Sequence, residues 1–234
     1  MGLDALTSDA PLASRYAQRT GFFLAGKRAF DTVCGGLGLA VAAPLFLLIA
    51  LAVRLDSPGP VFFRQQRVGR KRRLFSMWKF RKMPHDLLEQ GPMLTTRNDR
   101  RLTRVGHWLE RSKLDELPQL LNVLASDMSL VGPRPEVPKF VDRATPELWD
   151  LVLSVKPGIF GPNQIRYRNE ADLYPAPCAD IEAYYQRHIL PGKLEVDARY
   201  AQEASLLGDA WLLRIGWRRH GLVDPSEVPG SPTG

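Results

Sequence analysis

Residues Val33 to Val53 read VCGGLGLAVAAPLFLLIALAV, a run without a charge, with Lys27-Arg28-Ala29-Phe30-Asp31 ahead of it and Arg54 closing it. A helix of about 20 apolar residues is long enough to cross the hydrocarbon of a bilayer. Three readings compete for this run. A cleaved signal peptide would use a small-residue site such as Ala40-Val41-Ala42, but the apolar run continues through Leu45-Phe46-Leu47-Leu48-Ile49. A straight spanning helix satisfies the length rule, yet Pro44 removes a backbone hydrogen bond at its middle, and basic residues on both flanks give no orientation. A re-entrant hairpin of two short helical halves, bent near Pro44, brings both basic ends to the same anionic surface. The residues alone leave the spanning and re-entrant readings open.

The rest of the chain has the composition of a folded protein. Its 234 residues, 44% hydrophobic and 24% charged, suffice for one domain with a sizeable core. A net charge of +7 points to an anionic partner: nucleic acid, anionic lipid or a phosphorylated substrate. Two cysteines, Cys34 and Cys178, make neither a disulfide framework nor a zinc site, and a reducing compartment fits best. Residues 1–26 read as a leader without clear period, and Met1-Gly2 lacks the Ser or Thr at position 6 that myristoylation requires. Residues 27–56 are read as the membrane segment, 57–222 as the folded domain that follows it, and the Pro-, Gly- and Ser-rich residues 223–234 as a disordered tail.

Asp56-Ser57-Pro58-Gly59-Pro60 breaks the chain after the apolar run, and two strands with an intervening turn then form a small β-hairpin over about 61–80. Arg64, Arg67, Arg70, Lys71, Arg72, Arg73, Lys79, Arg81 and Lys82 make it the densest basic patch of the chain. Most such charges are simply solvated surface beside a membrane. Phe62, Phe63 and Trp78 read as core or interface anchors, so no nucleic-acid partner is expected. A helix over Leu102–Trp108 stops near Arg111-Ser112-Lys113, and a second begins at about Asp115, with Leu114, Leu117, Leu121 and Leu124 as its apolar face and Pro118 in its first turn. Two prolines around Arg134 make Val131-Gly132-Pro133-Arg134-Pro135 an irregular loop that presents the arginine rigidly. Further helices are expected over Pro146–Val155, capped by Thr145, over Asp180–Ile189, and over Glu195–Trp217. The last two read either as interfacial amphipathic helices or as ordinary packed ones. The fold class is α+β, mainly helical.

An Asp-Glu pair opening a helix is ordinarily a cap that the helix dipole favours. Here the cations Lys79, Arg81 and Arg134 are available to converge on a phosphate near Asp115 and Glu116. An ionised carboxylate in such a setting can attack phosphorus or hold a divalent ion. No Gly-x-x-x-x-Gly-Lys-Ser/Thr loop is present, and the four histidines lack paired spacing for zinc.

Lys27-Arg28-x-Phe30-Asp31, Gly59-Pro60-Val61-Phe62-Phe63-Arg64-Gln65-Gln66-Arg67-Val68-Gly69, Lys79-Phe80-Arg81-x-Met83, Leu114-Asp115-Glu116-Leu117-Pro118-Gln119-Leu120, Asn122-Val123-Leu124, Asp127-Met128-Ser129-Leu130-Val131-Gly132-Pro133-Arg134-Pro135-Glu136 and Lys156-Pro157-Gly158-Ile159 occur in that order. Together they resemble the bacterial sugar transferases, the monotopic phosphoglycosyl transferases, over about residues 27–165. The resemblance implies a re-entrant helix at the cytoplasmic face of the bacterial plasma membrane, a magnesium ion, and transfer of a sugar 1-phosphate from a nucleotide sugar, usually a uridine one, to polyprenyl phosphate. It implies that Asp115 is the nucleophile, that Glu116 assists as base or beside the metal, and that Lys79 and Arg134 bind phosphate. Asp115 and Glu116 are the implied magnesium ligands.

The chain departs from the family pattern at three places. Ala43-Pro44 stands where Ser-Pro is common, so no hydroxyl caps the freed backbone. Glu110-Arg111 stands where arginine is common, which leaves Arg111 as the candidate phosphate contact. Phe160-Gly161-Pro162-Asn163-Gln164-Ile165-Arg166-Tyr167-Arg168 replaces the usual stretch, with Arg166 and Arg168 as candidate donor contacts. The alternative functions are a non-catalytic membrane-binding scaffold on anionic lipid and a membrane-anchored glycosyltransferase with a non-lipid acceptor. A homodimer is compatible with the sequence but not required by it.

Overall fold

The computed structural model describes residues 21–87, 99–141, 146–167, 170, 173–175 and 180–218. The leader before residue 21, the Thr145 cap, Cys178, Arg168 and the tail expected from 223 onward lie outside the described residues, as do the side chains of Trp217 and Arg218.

Helix α1 runs from Gly21 to Asp56 with Pro44 inside it. The expected two short halves are therefore one helix along the backbone. Proline withholds one donor, which frees the carbonyl of Ala40 alone, and the turns on either side keep their own bonds. Asp31, Ile49 and Val53 are buried along one stripe of α1, while Val33, Leu37, Val41, Leu48, Leu51 and Leu55 are exposed. Pro44 is exposed as well. At 3.6 residues per turn the two sets fall on opposite faces, so α1 lies along the domain with an apolar outer stripe.

Strands β1 (Phe62–Val68) and β2 (Leu74–Phe80) pair antiparallel, with Phe62 opposite Phe80 and Arg64 opposite Trp78. Phe75, Met77 and Lys79 all point to the buried side of β2, the period of two having carried a lysine inward with its apolar neighbours. Phe80 is buried in a cluster with Ile49, Val53 and Leu109 that joins α1 to the domain.

Helix α2 (Arg104–Ser112) begins at Thr103, whose side chain accepts from the Gly106 amide, and ends at Lys113 in the left-handed conformation. The chain then makes a 3-10 turn over Leu114–Glu116, and α3 follows only at Gln119–Leu124. The second helix thus starts after Asp115, because Pro118 has no amide hydrogen to continue an α-helical ladder from the preceding turn. Its leucines are half-buried, whereas Asp115, Gln119 and Asn122 are almost wholly buried. The inward face of this segment carries these three polar side chains beside the buried Val123.

Two further strands went unread in the sequence. β3 (Ser129–Val131) pairs in parallel with β4 (Gly158–Phe160), Ser129 lying opposite Gly158. A Cβ on Gly158 would lie 2.1 Å from the Gly132 amide nitrogen, so only glycine permits this crossing. Short helices α4 (Pro138–Val141), α5 (Pro146–Val152) and α6 (Pro162–Arg166) follow. Helix α7 (Ile181–Tyr184) passes through a π turn at Tyr185–Ile189, ahead of Pro191, into α8 (Leu190–Glu203). The last expected helix is divided: Ser205 caps a separate α9 (Leu206–Arg218), its hydroxyl accepting from the Gly208 amide. Tyr185, Ile189, Leu190 and Leu194 lie in the main core with Phe140 and Trp149, so α8 is a packed helix rather than an interfacial one. On α9, Leu207 and Trp211 are exposed.

Candidate active site

The left-handed Lys113 turns the chain sharply out of α2, and the 3-10 turn that follows sets Asp115 inward and Glu116 beside it. Asn122, two turns on, accepts from the Trp78 amide at 3.0 Å and donates to the Ser76 carbonyl at 2.8 Å, which fastens α3 to the edge of β2. Lys79 is thereby held opposite the turn. Its ammonium donates to Glu116 Oε1 at 3.1 Å. Arg134, on the loop leaving β3, grips the same carboxylate with a fork, Nη1 donating to Oε2 at 3.2 Å and Nη2 to Oε1. Burial raises the proton affinity of Glu116, but Arg134 and Lys79 overcome it and hold the group well below the usual carboxylate range.

Asp115 is placed differently. Its carboxylate is 2% exposed, and Oδ1 is buried with no hydrogen-bond partner. Oδ2 stands 3.9 Å from Lys82 Nζ, while Lys82 itself is paired with Glu110. Burial pushes the Asp115 pKa up, against the opposing pull of Lys79. Glu110 shows the reverse: burial would raise it, yet Lys82 and Lys113 bring it down to about 2. One turn beyond Asp115, the amide nitrogen of Gln119 is also buried and unpartnered. The site therefore offers an open acceptor and an open donor beside the paired cations Lys79, Lys82 and Arg134. Glu110, Lys82, Gln119 and Asn122 were not among the expected site residues. The spacing 115, 119, 122, which repeats at helical period, was the sequence signal for Gln119 and Asn122, and Lys82 was visible as a member of the basic patch.

The other expected site residues are elsewhere. Arg81 is 1% exposed and gives its donors to Ser57, Pro58, Pro60 and Val53, which ties the end of α1 to the hairpin. Arg111 is exposed in the last turn of α2. Arg166 ends α6 with its guanidinium 5.8 Å from the Tyr167 ring centre. A second buried polar group adjoins Arg134. There Lys193 donates to Tyr185 Oη and Glu170, Tyr185 donates to Glu136, and Asn163 donates to Asp197.

Among the described residues no group of three His, Cys, Asp or Glu side chains is arranged to hold a metal ion. A magnesium ion needs less than that when substrate phosphates complete its shell. The open Oδ1 of Asp115 fits such an ion, whereas both Glu116 oxygens are already taken by Lys79 and Arg134.

The sequence profile described as "Bacterial sugar transferase" matches residues 22–218. The chain is similar to an undecaprenyl-phosphate glucose phosphotransferase of Komagataeibacter xylinus, 46% identical over 147 residues, covering 59% of this chain and 27% of that protein. It is 39% identical over 132 residues to a putative undecaprenyl-phosphate N-acetylgalactosaminyl 1-phosphate transferase of Bacillus subtilis, covering 56% of this chain and 74% of that one. A UDP-glucose:undecaprenyl-phosphate glucose-1-phosphate transferase of Escherichia coli is 46% identical over 151 residues, 62% of this chain and 32% of its own length. The chain thus spans about a third or less of two of these relatives. A profile match that begins in α1, takes in the Lys79–Glu116–Arg134 cluster and ends in α9 covers well over half of the residues, and the chain belongs to the bacterial sugar transferase family.

Proposed function

We propose that this protein transfers a sugar 1-phosphate from a nucleotide sugar, a UDP-sugar by the names of several relatives, to undecaprenyl or a similar polyprenyl phosphate. The observation that carries the reading is the buried, unpartnered Oδ1 of Asp115, with Lys82 3.9 Å from its other oxygen and Lys79 and Arg134 on the neighbouring Glu116. A carboxylate oxygen desolvated in that way is a poised nucleophile. Oδ1 forms a bond to the sugar-bearing phosphorus, the bond to the bridging oxygen breaks, and nucleoside monophosphate departs with the electron pair. An oxygen of polyprenyl phosphate then attacks the same phosphorus, and the acyl-phosphate bond breaks to regenerate the Asp115 carboxylate. Arg134 and Lys79 neutralise charge spread over the phosphate oxygens. Glu116 orients those two cations, and its low proton affinity suits that task better than general base. A magnesium ion, if bound, would be held through the Asp115 carboxylate and would supply further positive charge to the phosphate oxygens.

The membrane arrangement rests on α1. Near its start Lys27, Arg28 and Asp31 bond to residues 123–131 and Asp209, and towards its end Ile49 and Val53 pack on Phe80 and Leu109. Both ends touch one domain, which a straight spanning helix with that domain on one side of the bilayer does not allow. The reading is a re-entrant helix that enters and leaves the cytoplasmic leaflet, with the site facing the compartment where nucleotide sugars are made. Incubation with UDP-sugar alone, quenched in acid, should yield intact protein heavier by one phosphosugar together with stoichiometric uridine monophosphate. Release of the nucleotide only when lipid acceptor is added, with no adduct, would sink the covalent route.

A further inference from the structure

Away from the Asp115 cluster, a cavity of about 220 Å³ opens between the first turns of α1 and the domain, lined among others by Leu24, Lys27, Arg28, Asp31, Arg70 and Lys156. Lys27 is neutralised by Asp209 at 2.5 Å, and Asp31 Oδ1 accepts from Ser129 Oγ and the Leu130 amide. The other three cations are different. Arg28 donates to the Val123 and Leu124 carbonyls, Arg70 Nε to the Ser154 carbonyl, and Lys156 to the Ser126 hydroxyl. Among the described residues none of the three is in an ion pair, although Asp31 and Asp127 face Lys156. Burial and the nearby charges of Arg28 and Arg70 lower the Lys156 pKa, with Asp31 and Asp127 pulling the other way. Three cations around one cavity, none of them in an ion pair among the described residues, are stabilised by an anion. The position limits the source: Leu24 at the rim is exposed, and the apolar outer stripe of α1 begins within three turns, at Val33.

We infer that this cavity is a phosphate-binding site, separate from the reaction centre, that takes the headgroup of an anionic phospholipid through Arg28, Arg70 and Lys156. The full chain in neutral detergent tests it through thermal stability measured against short-chain phosphatidylglycerol, short-chain phosphatidylcholine and inorganic phosphate. Phosphatidylglycerol should raise the melting temperature and phosphatidylcholine should not. In the Arg70→Gln/Lys156→Gln variant the half-saturating concentration should rise about thirtyfold, and the charge-preserving Arg70→Lys/Lys156→Arg pair should recover most of that. Arg64→Gln, on the same hairpin but with its guanidinium over Trp78, should behave as wild type. A shift with inorganic phosphate that the glutamine pair abolishes keeps the phosphate site and assigns its source to a free anion. An unchanged phosphatidylglycerol response in the glutamine pair, or no response to any of the three, overturns the inference. Asp115→Asn should leave the response intact, so a failure of the transferase reading would not carry this one with it.

Discussion

Asp115 and Glu116 are sequence neighbours with the same chemistry, and the fold treats them in opposite ways. Glu116 lies between Lys79 and the fork of Arg134, with both oxygens bonded. Asp115 is more deeply buried but leaves one oxygen bare, and its nearest cation stands 3.9 Å away. One carboxylate is therefore part of what holds the domain together, and the other is held in place at the expense of stability. A satisfied buried ion pair resists removal of either partner, whereas a buried charge lacking a hydrogen bond favours its own protonation. Function concentrates on the second kind.

The sharpest way to break this contrast is Asp115→Asn. Donor-dependent nucleotide release should fall on the order of 10⁴-fold while the melting temperature rises, because the amide carries no charge to desolvate. A fall in melting temperature would show that the bare oxygen is no cost. The same contrast sets opposite pH behaviour. Asp115 has a raised folded pKa, so its ionised form is destabilising above the ordinary carboxylate value of about 3.9, and attack is lost as pH falls through the raised value. Glu116 has a depressed folded pKa, so its stabilisation is present above the ordinary value of about 4.3 and is lost only as pH falls through the lower one. Activity should thus fail at a higher pH than the fold does, as rate and ellipticity profiles on one sample would show.

Glu116→Gln should lose about 3–5 kcal/mol in urea unfolding, since it strands Lys79 and Arg134, and a second change of Lys79→Met should recover part of it. Gly106→Ala probes how Lys82 is positioned. An added Cβ would lie 2.0 Å from the Lys82 carbonyl, so α2 must shift, with a loss of about 1–3 kcal/mol and slower release. The smallest expected effect is that of Lys82→Met. Removing the cation nearest Asp115 should slow release about tenfold and move the acid limb of the rate profile to higher pH, which would show that Lys82 acts on Asp115 as well as pairing with Glu110.

The hairpin was legible because alternation is local, and the same alternation explains how Lys79 comes to be buried beside Met77. The Asp115-Glu116 pair was legible as a motif, and the resemblance implied separate roles, but the difference in their settings was not legible. It depends on Lys79, 37 residues before Glu116, and on Arg134, 18 after it. Arg81 shows the limit from the other side: the sequence offers it as a phosphate cation, yet five backbone and hydroxyl acceptors between Val53 and Pro60 absorb its guanidinium. The β3–β4 bridge escaped because each strand is three residues long and the partner is distant in the chain. The start of α3 was misjudged by one turn, since a 3-10 turn and an α-helix share their first residues' preferences.

The docking of α1 also carries a consequence in time. Lys27 meets the Val131 carbonyl 104 residues later, and Arg28 meets the Val123 carbonyl 95 residues later. At ribosomal speeds of about 5–20 residues per second, roughly 5–20 s separate the synthesis of the helix from that of its seat. During that interval the basic and acidic groups at the head of α1 have no partners, and its apolar body has no protein to cover it. If α1 enters the bilayer as proposed above, the bilayer is the earliest surface it can occupy, and insertion would come before the domain closes on it.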